Sequence, residues 1–362
     1  MNSQDPHRQM DAVHVKLFRQ FWGLVSFLVL FILLLFLYIG YFTQPATWWS
    51  EWLTAKPQPS ESIASTLSTN QAEVLYWVAP DIESLNDEGQ KLQLRYGREL
   101  VAHTAQYFGP NGSIEANKTN GLNCQNCHLE AGTKVFGNNY SRVAATYPKV
   151  RARSGQVEDV YKRINDCFER SLNGQALAVD SKEMQAMAAY IQFLGKDVPK
   201  GEKPPGSGFK DLAFLNRPLD PIHGESVYVD KCVSCHQADG QGLKDPNGVY
   251  TYPPLWGPLS YNQGAGLYRM SNFAKYVKWN MPLGINHDDP ELTDEEAWDV
   301  AAWVNTQPRP GKDLSQDWPD IAKKPYDHPF GPYADGFSEA QHKLGPFGPI
   351  KAKLEALATG AN

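Results

Sequence analysis

An all-α fold of two tandem domains built to one plan, behind an N-terminal transmembrane helix, is what this sequence predicts. Three observations predict it. The pattern C-x-x-C-H occurs twice, as Cys124-Gln125-Asn126-Cys127-His128 and Cys232-Val233-Ser234-Cys235-His236. Each copy is followed by a similar amphipathic stretch, Met187-Ala188-Ala189-Tyr190-Ile191-Gln192 in one half and Val300-Ala301-Ala302-Trp303-Val304-Asn305 in the other. A Pro/Gly/Lys-rich stretch without periodicity, Gly195 to Pro221, separates the halves.

From the N-terminus, residues 1–20 read as a cytoplasmic segment carrying Arg8, Lys16 and Arg19. Phe21 to Phe42 contains no charged residue in 22 positions. As a helix that run is ~33 Å long, enough for a hydrocarbon core of ~30 Å. The basic residues before it, and Tyr38, Tyr41, Trp48, Trp49 and Trp52 at its far side, orient the N-terminus inward and the remainder outward. A cleaved signal peptide would carry a shorter apolar region ending at a small-x-small site, so an uncleaved single-pass anchor over 21–42 is expected. Residues 43–80 are expected to be a tether, with Ala55 to Thr69 its flexible part.

Each domain is expected to run helix, C-x-x-C-H, long loop, closing helix. Glu88 to Phe108 and Gly224 to Lys231 are the helices before the motifs. Asp180-Ser181 and Thr293-Asp294 offer N-caps to the closing helices, with Glu183 and Glu296 in their first turns. The first domain then covers 81–195, the linker 196–221 and the second domain 222–307. Residues 308–362 form a Pro- and aromatic-rich extension, whose aromatics between Tyr326 and Phe347 suggest packing over a domain rather than disorder.

C-x-x-C-H is the attachment signature of c-type haem: two thiols add to the vinyl groups and the adjacent histidine binds the iron. A redox pair or half a zinc site would account for one C-x-x-C. It does not account for two copies 108 residues apart, each followed by histidine. Two covalently bound haem c groups are therefore expected, held by Cys124 and Cys127 and by Cys232 and Cys235, with His128 and His236 on the irons. The plan is that of two small cytochrome c domains. Haem c is attached on the outer side of the bacterial inner membrane, which agrees with periplasmic domains on an inner-membrane anchor. A net charge of −6 leaves no global basic surface and excludes nucleic acid as a partner.

In such a domain the sixth iron ligand lies in the loop before the closing helix. Met281, 45 residues after His236 and followed by Pro282, takes that place in the second domain. Met270 competes but lies further from the closing helix. The first domain has no methionine there; Met184 and Met187 fall inside its closing helix, where a thioether serves as core filler. Superposing the closing helices places the fifth cysteine, Cys167, opposite Asn280 and one residue from Met281. A buried inert thiol or an intermolecular disulfide are the plain alternatives. A thiolate on iron would give haem 1 a much lower potential than a His/Met haem 2, marking haem 1 for chemistry and haem 2 for relay.

Charge supports that division. From Ala131 to Arg170 there are eight basic residues against four acidic ones, an excess that would draw small anions. Arg153 and Arg163 stand out, 14 and 4 residues before Cys167; the second spacing is one turn if the segment is helical. Guanidinium suits bidentate contact with an oxyanion. His103 and His287 are read as locally satisfied rather than as partners of haem propionates.

The blocks Asn139-Tyr140-Ser141-Arg142, Val150 to Gly155, Arg163-Ile164-Asn165-Asp166-Cys167-Phe168-Glu169-Arg170-Ser171, Trp279-Asn280-Met281-Pro282 and Pro329 to Phe347 resemble the dihaem thiosulfate dehydrogenases. The resemblance runs over about residues 85–350. It implies His128/Cys167 ligation at an active-site haem, with Arg153, Arg163 and Ser171 lining the substrate pocket. Some members carry Lys before the methionine of haem 2 and exchange the two ligands; Asn280 stands there instead, leaving Met281 alone. The implied reaction interconverts thiosulfate and tetrathionate, and a small periplasmic or membrane-bound redox protein takes the electrons. A dihaem electron-transfer subunit without its own substrate, and a sulfur-carrier transferase acting on a partner's cysteine, remain the alternatives.

Overall fold

The computed structural model describes residues 75–359, together with Trp22, residues 25–36 and Tyr38. Residues 25–36 are helical, and the apolar side chains from Phe27 to Phe36 are exposed. The rest of the expected anchor, and most of the expected tether, lie outside the described residues. No helix among the described residues is long and apolar enough to cross a membrane. The chain divides into two compact units, Met1–Gln71 and Ala72–Asn362, and the second holds both C-x-x-C-H motifs.

The principal helices of that second unit are α1 (Glu88–Ala102), α2 (Thr104–Phe108), α3 (Val160–Arg170), α4 (Lys182–Leu194), α5 (Pro221–Lys231), α6 (Met270–Asn280), α7 (Asp294–Thr306) and α8 (Phe347–Thr359). Two short antiparallel pairs interrupt the helical plan: β1 (Lys149–Val150) with β2 (Val157–Glu158), and β3 (Leu243–Lys244) with β4 (Tyr250–Tyr252). Both hairpins turn through a glycine at positive φ, Gly155 and Gly248, where a side chain would be strained. The fold is thus helix-rich with a little sheet, rather than purely α.

Side chains set the helix starts. Asp87 accepts from the Gln90 amide at α1, Asp159 from Lys162 at α3, and Ser181 from Met184 at α4. Thr293 and Glu296 form a reciprocal capping box at α7. The caps expected for both closing helices are therefore present, at Ser181 and Thr293. The helix expected over Glu88 to Phe108 is instead two helices. His103 leaves helical geometry at φ −124°, ψ 38°, and Thr104 begins α2. Helix α5 starts three residues before the expected Gly224, because Asp220 caps it and Pro221 occupies its first position.

Two cores follow from these helices. Leu94, Leu100, Phe108, Ile164, Phe168, Met184, Met187 and Tyr190 build the first; Met184 and Met187 are filler within it. Tyr228, Phe273, Val277, Trp298, Ala301 and Ile350 build the second. The C-terminal segment contributes Phe347, whose ring lies 5.6 Å from that of Trp298.

In each core the first helix crosses the closing helix at a glycine. A Cβ on Gly97 would lie 2.1 Å from the Ala186 carbonyl oxygen and 2.8 Å from Tyr190 Cβ. A Cβ on Gly224 would lie 1.9 Å from the Asp299 carbonyl oxygen and 3.0 Å from Trp303 Cβ. Ala186 and Asp299 are equivalent positions of the sequence repeat, as are Tyr190 and Trp303. One helix crossing is built twice.

Gly97→Ala and Gly224→Ala test that crossing. Alanine favours a helix over glycine by ~1 kcal/mol, whereas overpacking costs ~1–3 kcal/mol. The obstructing atoms are backbone, which cannot rotate away, so each variant is expected to lose ~2 kcal/mol net in denaturant unfolding. A gain in stability would show that the helices do not meet at these positions.

Candidate active site

The first C-x-x-C-H motif is a single tight turn. The Cys127 and His128 amides both donate to the Cys124 carbonyl, at 3.1 and 3.0 Å. Spacings of three and four residues bring Cys124, Cys127 and His128 to one face. The turn is tied to α2 on two sides. Asn123 Oδ1 accepts from the Ala105 amide at 2.8 Å, and Thr104 Oγ1 accepts from the Cys124 amide at 3.1 Å. The second motif repeats the turn, with the Cys235 and His236 amides on the Cys232 carbonyl at 3.2 and 2.9 Å.

The donor chemistry of both motifs fits haem. His128 Nδ1 lies 2.6 Å from the Asn138 carbonyl and His236 Nδ1 lies 2.9 Å from the Pro253 carbonyl. In each case the bond fixes the ring and leaves Nε2 for a metal, the usual arrangement behind a ligating histidine. Burial lowers the His128 pKa to about 4, against the pull of the Asn138 carbonyl, so the imidazole is the neutral form that can ligate. The Tyr140 ring stacks on it at 4.4 Å.

Cys167 does not sit in a loop, as expected, but inside α3, whose apolar face presents Ile164 and Phe168 to the first core. Arg163 stands one turn before it and donates from Nη1 to Cys167 Sγ at 3.2 Å. The neighbouring Cys167 sulfur raises the Arg163 pKa, against burial. Burial pushes the Cys127 thiol up to about 12, and the neighbouring Cys167 and Cys124 sulfurs add to the rise. Cys124, Cys127, His128, Arg163 and Cys167 therefore form one site. Ser171 caps α3, half-buried, with its amide on the Cys167 carbonyl.

Arg153 lies beside this group rather than on Cys167. It leaves the β1–β2 hairpin to donate from Nη1 to the Gly264 carbonyl at 3.1 Å. Its carbonyl accepts from the Trp318 amide at 2.7 Å, and its guanidinium carbon lies 5.7 Å from the centre of the Trp318 ring. Burial, together with the charges of Arg170 and Arg163, lowers its pKa to about 10. Arg170 is paired bidentately with Asp317, at 2.7 and 2.8 Å. Asp317 also stands 4.0 Å from Arg153 Nε. Two buried donors in this corner, Arg153 Nε and Trp318 Nε1, have no hydrogen-bond partner. The sequence had offered Arg153 and Arg163. Asp317 and Trp318 carried no local signal, since they reach the site from about 150 residues downstream.

The second domain closes the site. Cys124 packs against the first core, whereas Cys127 and Leu129 pack against the second. The Tyr276 hydroxyl of α6 donates to the Asn126 carbonyl at 2.7 Å. At the second motif, Cys232 and Met281 pack on the same core. Met281 follows α6 directly, with its amide on the Val277 carbonyl. The competing Met270 begins α6, about 16 Å away along the axis.

Each C-x-x-C-H turn falls within a matched cytochrome c domain. Residues 114–199 match the cytochrome c domain model of the SoxA/TsdA family, and residues 222–308 match the cytochrome c model. The chain is similar to the thiosulfate dehydrogenase of Allochromatium vinosum, 46% identical over 195 residues, which is 53% of this chain and 71% of that protein. It is similar to that of Psychrobacter arcticus at 36% identity over 244 residues, 67% of this chain and 71% of the relative. Among solved structures it resembles the thiosulfate dehydrogenase (TsdBA) of Marichromatium purpuratum, with a TM-score of 0.59 and 31% identity. That match covers 65% of this chain and 50% of the solved one, so the chain spans about half its length. Two cytochrome c domains bring two covalently bound haem c groups.

Asp317→Asn tests the arginine corner. Removing the one carboxylate paired with Arg170 leaves buried guanidinium groups uncompensated, which costs ~3 kcal/mol of stability. Denaturant unfolding of the variant at low salt is the measurement. Unchanged stability would mean that solvent, not Asp317, holds those charges.

Proposed function

The chain belongs to the family of dihaem c-type cytochrome thiosulfate dehydrogenases, and from that membership we propose that it couples two thiosulfate ions into tetrathionate. The balanced reaction is 2 S2O3(2−) to S4O6(2−) plus 2 e−. The observation that carries the reading is the Arg163–Cys167 contact, a sulfur nucleophile held one hydrogen bond from a cation beside the first C-x-x-C-H turn.

Held by Cys124, Cys127 and His128 and by Cys232, Cys235 and His236, with Cys167 and Met281 as the proposed further iron ligands, the haem groups would supply one-electron acceptors. The protein's part is to bring two dianions to one sulfur. Arg163 and Arg153 offset their repulsion, and the free donors Arg153 Nε and Trp318 Nε1 suit sulfonate oxygens. Ser171, at the cap one turn beyond Cys167, completes the proposed pocket.

Cys167 Sγ bonds the outer sulfur of the first thiosulfate, forming one S–S bond and releasing two electrons. The second thiosulfate attacks that same outer sulfur. A new S–S bond gives tetrathionate, the bond to Cys167 breaks, and the cysteine leaves as thiolate, as in thiol–disulfide exchange. Arg163 stabilises the leaving thiolate. Run backwards, the same site reduces tetrathionate.

The enzyme is proposed to be held at the inner membrane by residues 21–42, with both haem domains on the periplasmic side and a small redox protein as electron partner. The uncharged apolar run and its basic N-terminal flank support the anchor. The full chain should resist alkaline washing of membranes, and a chain lacking residues 1–54 should be released. Release of both would remove the anchor from the proposal.

Turnover should be measured with thiosulfate and a one-electron acceptor, then with tetrathionate and reduced viologen. Cys167→Ser and Cys167→Gly are expected to keep both haems and to lose at least ~10³-fold in kcat. Full activity in either variant would overturn the role of Cys167. A holoprotein silent in both directions would overturn the thiosulfate reading in favour of a pure electron carrier.

A further inference from the structure

Four buried side-chain atoms without a hydrogen-bond partner gather far from Cys167 in the sequence: Ser207 Oγ, Trp279 Nε1, Asn280 Oδ1 and His287 Nε2. Trp279, Asn280 and His287 lie around Phe136 and Lys210, and Ser207 follows Gly206, which Phe136 contacts. The Lys210 ammonium lies 4.4 Å from the centre of the Trp279 ring and donates to the His287 carbonyl at 2.9 Å. The Phe136 ring meets that of His287 at 4.9 Å, and its carbonyl accepts from Asn280 Nδ2 at 3.3 Å. The Phe136 amide donates to Gly206, immediately before Ser207, at 2.7 Å. Lys134 joins from the same loop, bonding the Ile285 carbonyl at 3.3 Å.

The chemistry of the cluster is one-sided. Ser207 and Trp279 are buried donors, and a buried donor left unpaired costs ~1–3 kcal/mol. Lys134 and Lys210 add positive charge. The nearest carboxylate to His287 Nε2, that of Asp288 at 3.5 Å, is largely exposed to solvent. Asp211, next to Lys210, is committed to Lys275 at 2.8 Å. What is missing is an anionic acceptor. Asn280 Oδ1 is itself an acceptor and does not belong to this donor set. A covalently held haem c carries two propionate carboxylates, and Trp279 stands two residues before Met281.

We infer that this pocket binds a propionate of the haem attached at Cys232 and Cys235, with Trp279 Nε1 and Ser207 Oγ as donors and Lys210 and Lys134 as counter-charges. His287, read from the sequence as locally satisfied, belongs to the same cluster through its contact with Phe136; His103, exposed and within 3.9 Å of Glu99, does not. Ser207 and Lys210 come from the segment joining the domains, and Lys134 and Phe136 from the loop after His128. The carboxylate of one haem is thereby held by residues of both halves. Donors and cations on a propionate offset its negative charge and so favour the ferrous iron; removing them favours the ferric form.

The test is the reduction potential of each haem in the full-length holoprotein, by spectroelectrochemical titration at low ionic strength. A Cys232→Ala/Cys235→Ala variant identifies which potential belongs to the second haem. Trp279→Phe and Lys210→Gln should retain both haems by mass, and each should lower the ferrous-to-ferric ratio of the second haem about tenfold, ~59 mV for one electron. The first haem should not move. Trp279→Phe keeps an aromatic side chain but removes the N–H donor, so a merely space-filling tryptophan would leave the potential unchanged, and that result would overturn the inference. A shift confined to the first haem would also overturn it. Repeating the titration with added sulfate separates a free-anion site: a difference between wild type and variants that appears only with sulfate would assign the pocket to a free anion instead. None of these outcomes depends on turnover of thiosulfate.

Discussion

The first C-x-x-C-H turn cannot bury itself, and the rest of the molecule is arranged around that constraint. It offers two sulfurs, an imidazole and two polar side chains, too little apolar surface to form a wall. Cys124 therefore lies against one core and Cys127 against the other, with Tyr276 bonded to the carbonyl of Asn126 between them. The second domain is structural material for the first domain's site.

The same dependence recurs at the end of α3. A helix C-terminus leaves carbonyls unsatisfied. Asn262, from the second domain, donates from its side chain to the Glu169 carbonyl at 2.9 Å and from its amide to the Arg170 carbonyl at 3.1 Å. The helix that carries Cys167 and Arg163 is thus finished by residues some 90 positions downstream. Separating the domains would unpair that helix end as well as uncover the haem turn. A site at a junction is also reachable by the linker, and its Gly206 and Gly208 carbonyls accept from Phe136 and Asn138 in the loop behind His128.

Legibility in the sequence followed the range of the interaction. Caps at Ser181 and Thr293 act over three residues, and both were readable. The repeat of Met187–Gln192 with Val300–Asn305 was readable too, because the same crossing against Gly97 and Gly224 imposed it twice. The Arg163–Cys167 pair followed from a four-residue spacing once the segment was helical. His103 breaks an otherwise helical pattern because Thr104 and the Cys124 turn bond each other, a tertiary cause that periodicity does not register. Asp317 and Trp318 were invisible for the same reason. Nothing near them in sequence marks an aspartate whose partner lies 147 residues earlier.

Those two residues change how the charge of the site is understood. Eight basic residues between Ala131 and Arg170 suggested a diffuse attractive field. The structure concentrates it. Arg151 points to Tyr147 at 2.6 Å and Lys162 to Asp166 at 2.7 Å, so both are spent locally. Arg170 is consumed by Asp317. Lys134 bonds the Ile285 carbonyl and Arg142 and Lys149 are exposed, which leaves Arg153 and Arg163 half-buried and mutually repelling, with a sulfur and a backbone carbonyl as their main acceptors. A neutral ligand would not relieve that repulsion, whereas a small anion held between the two guanidinium groups would.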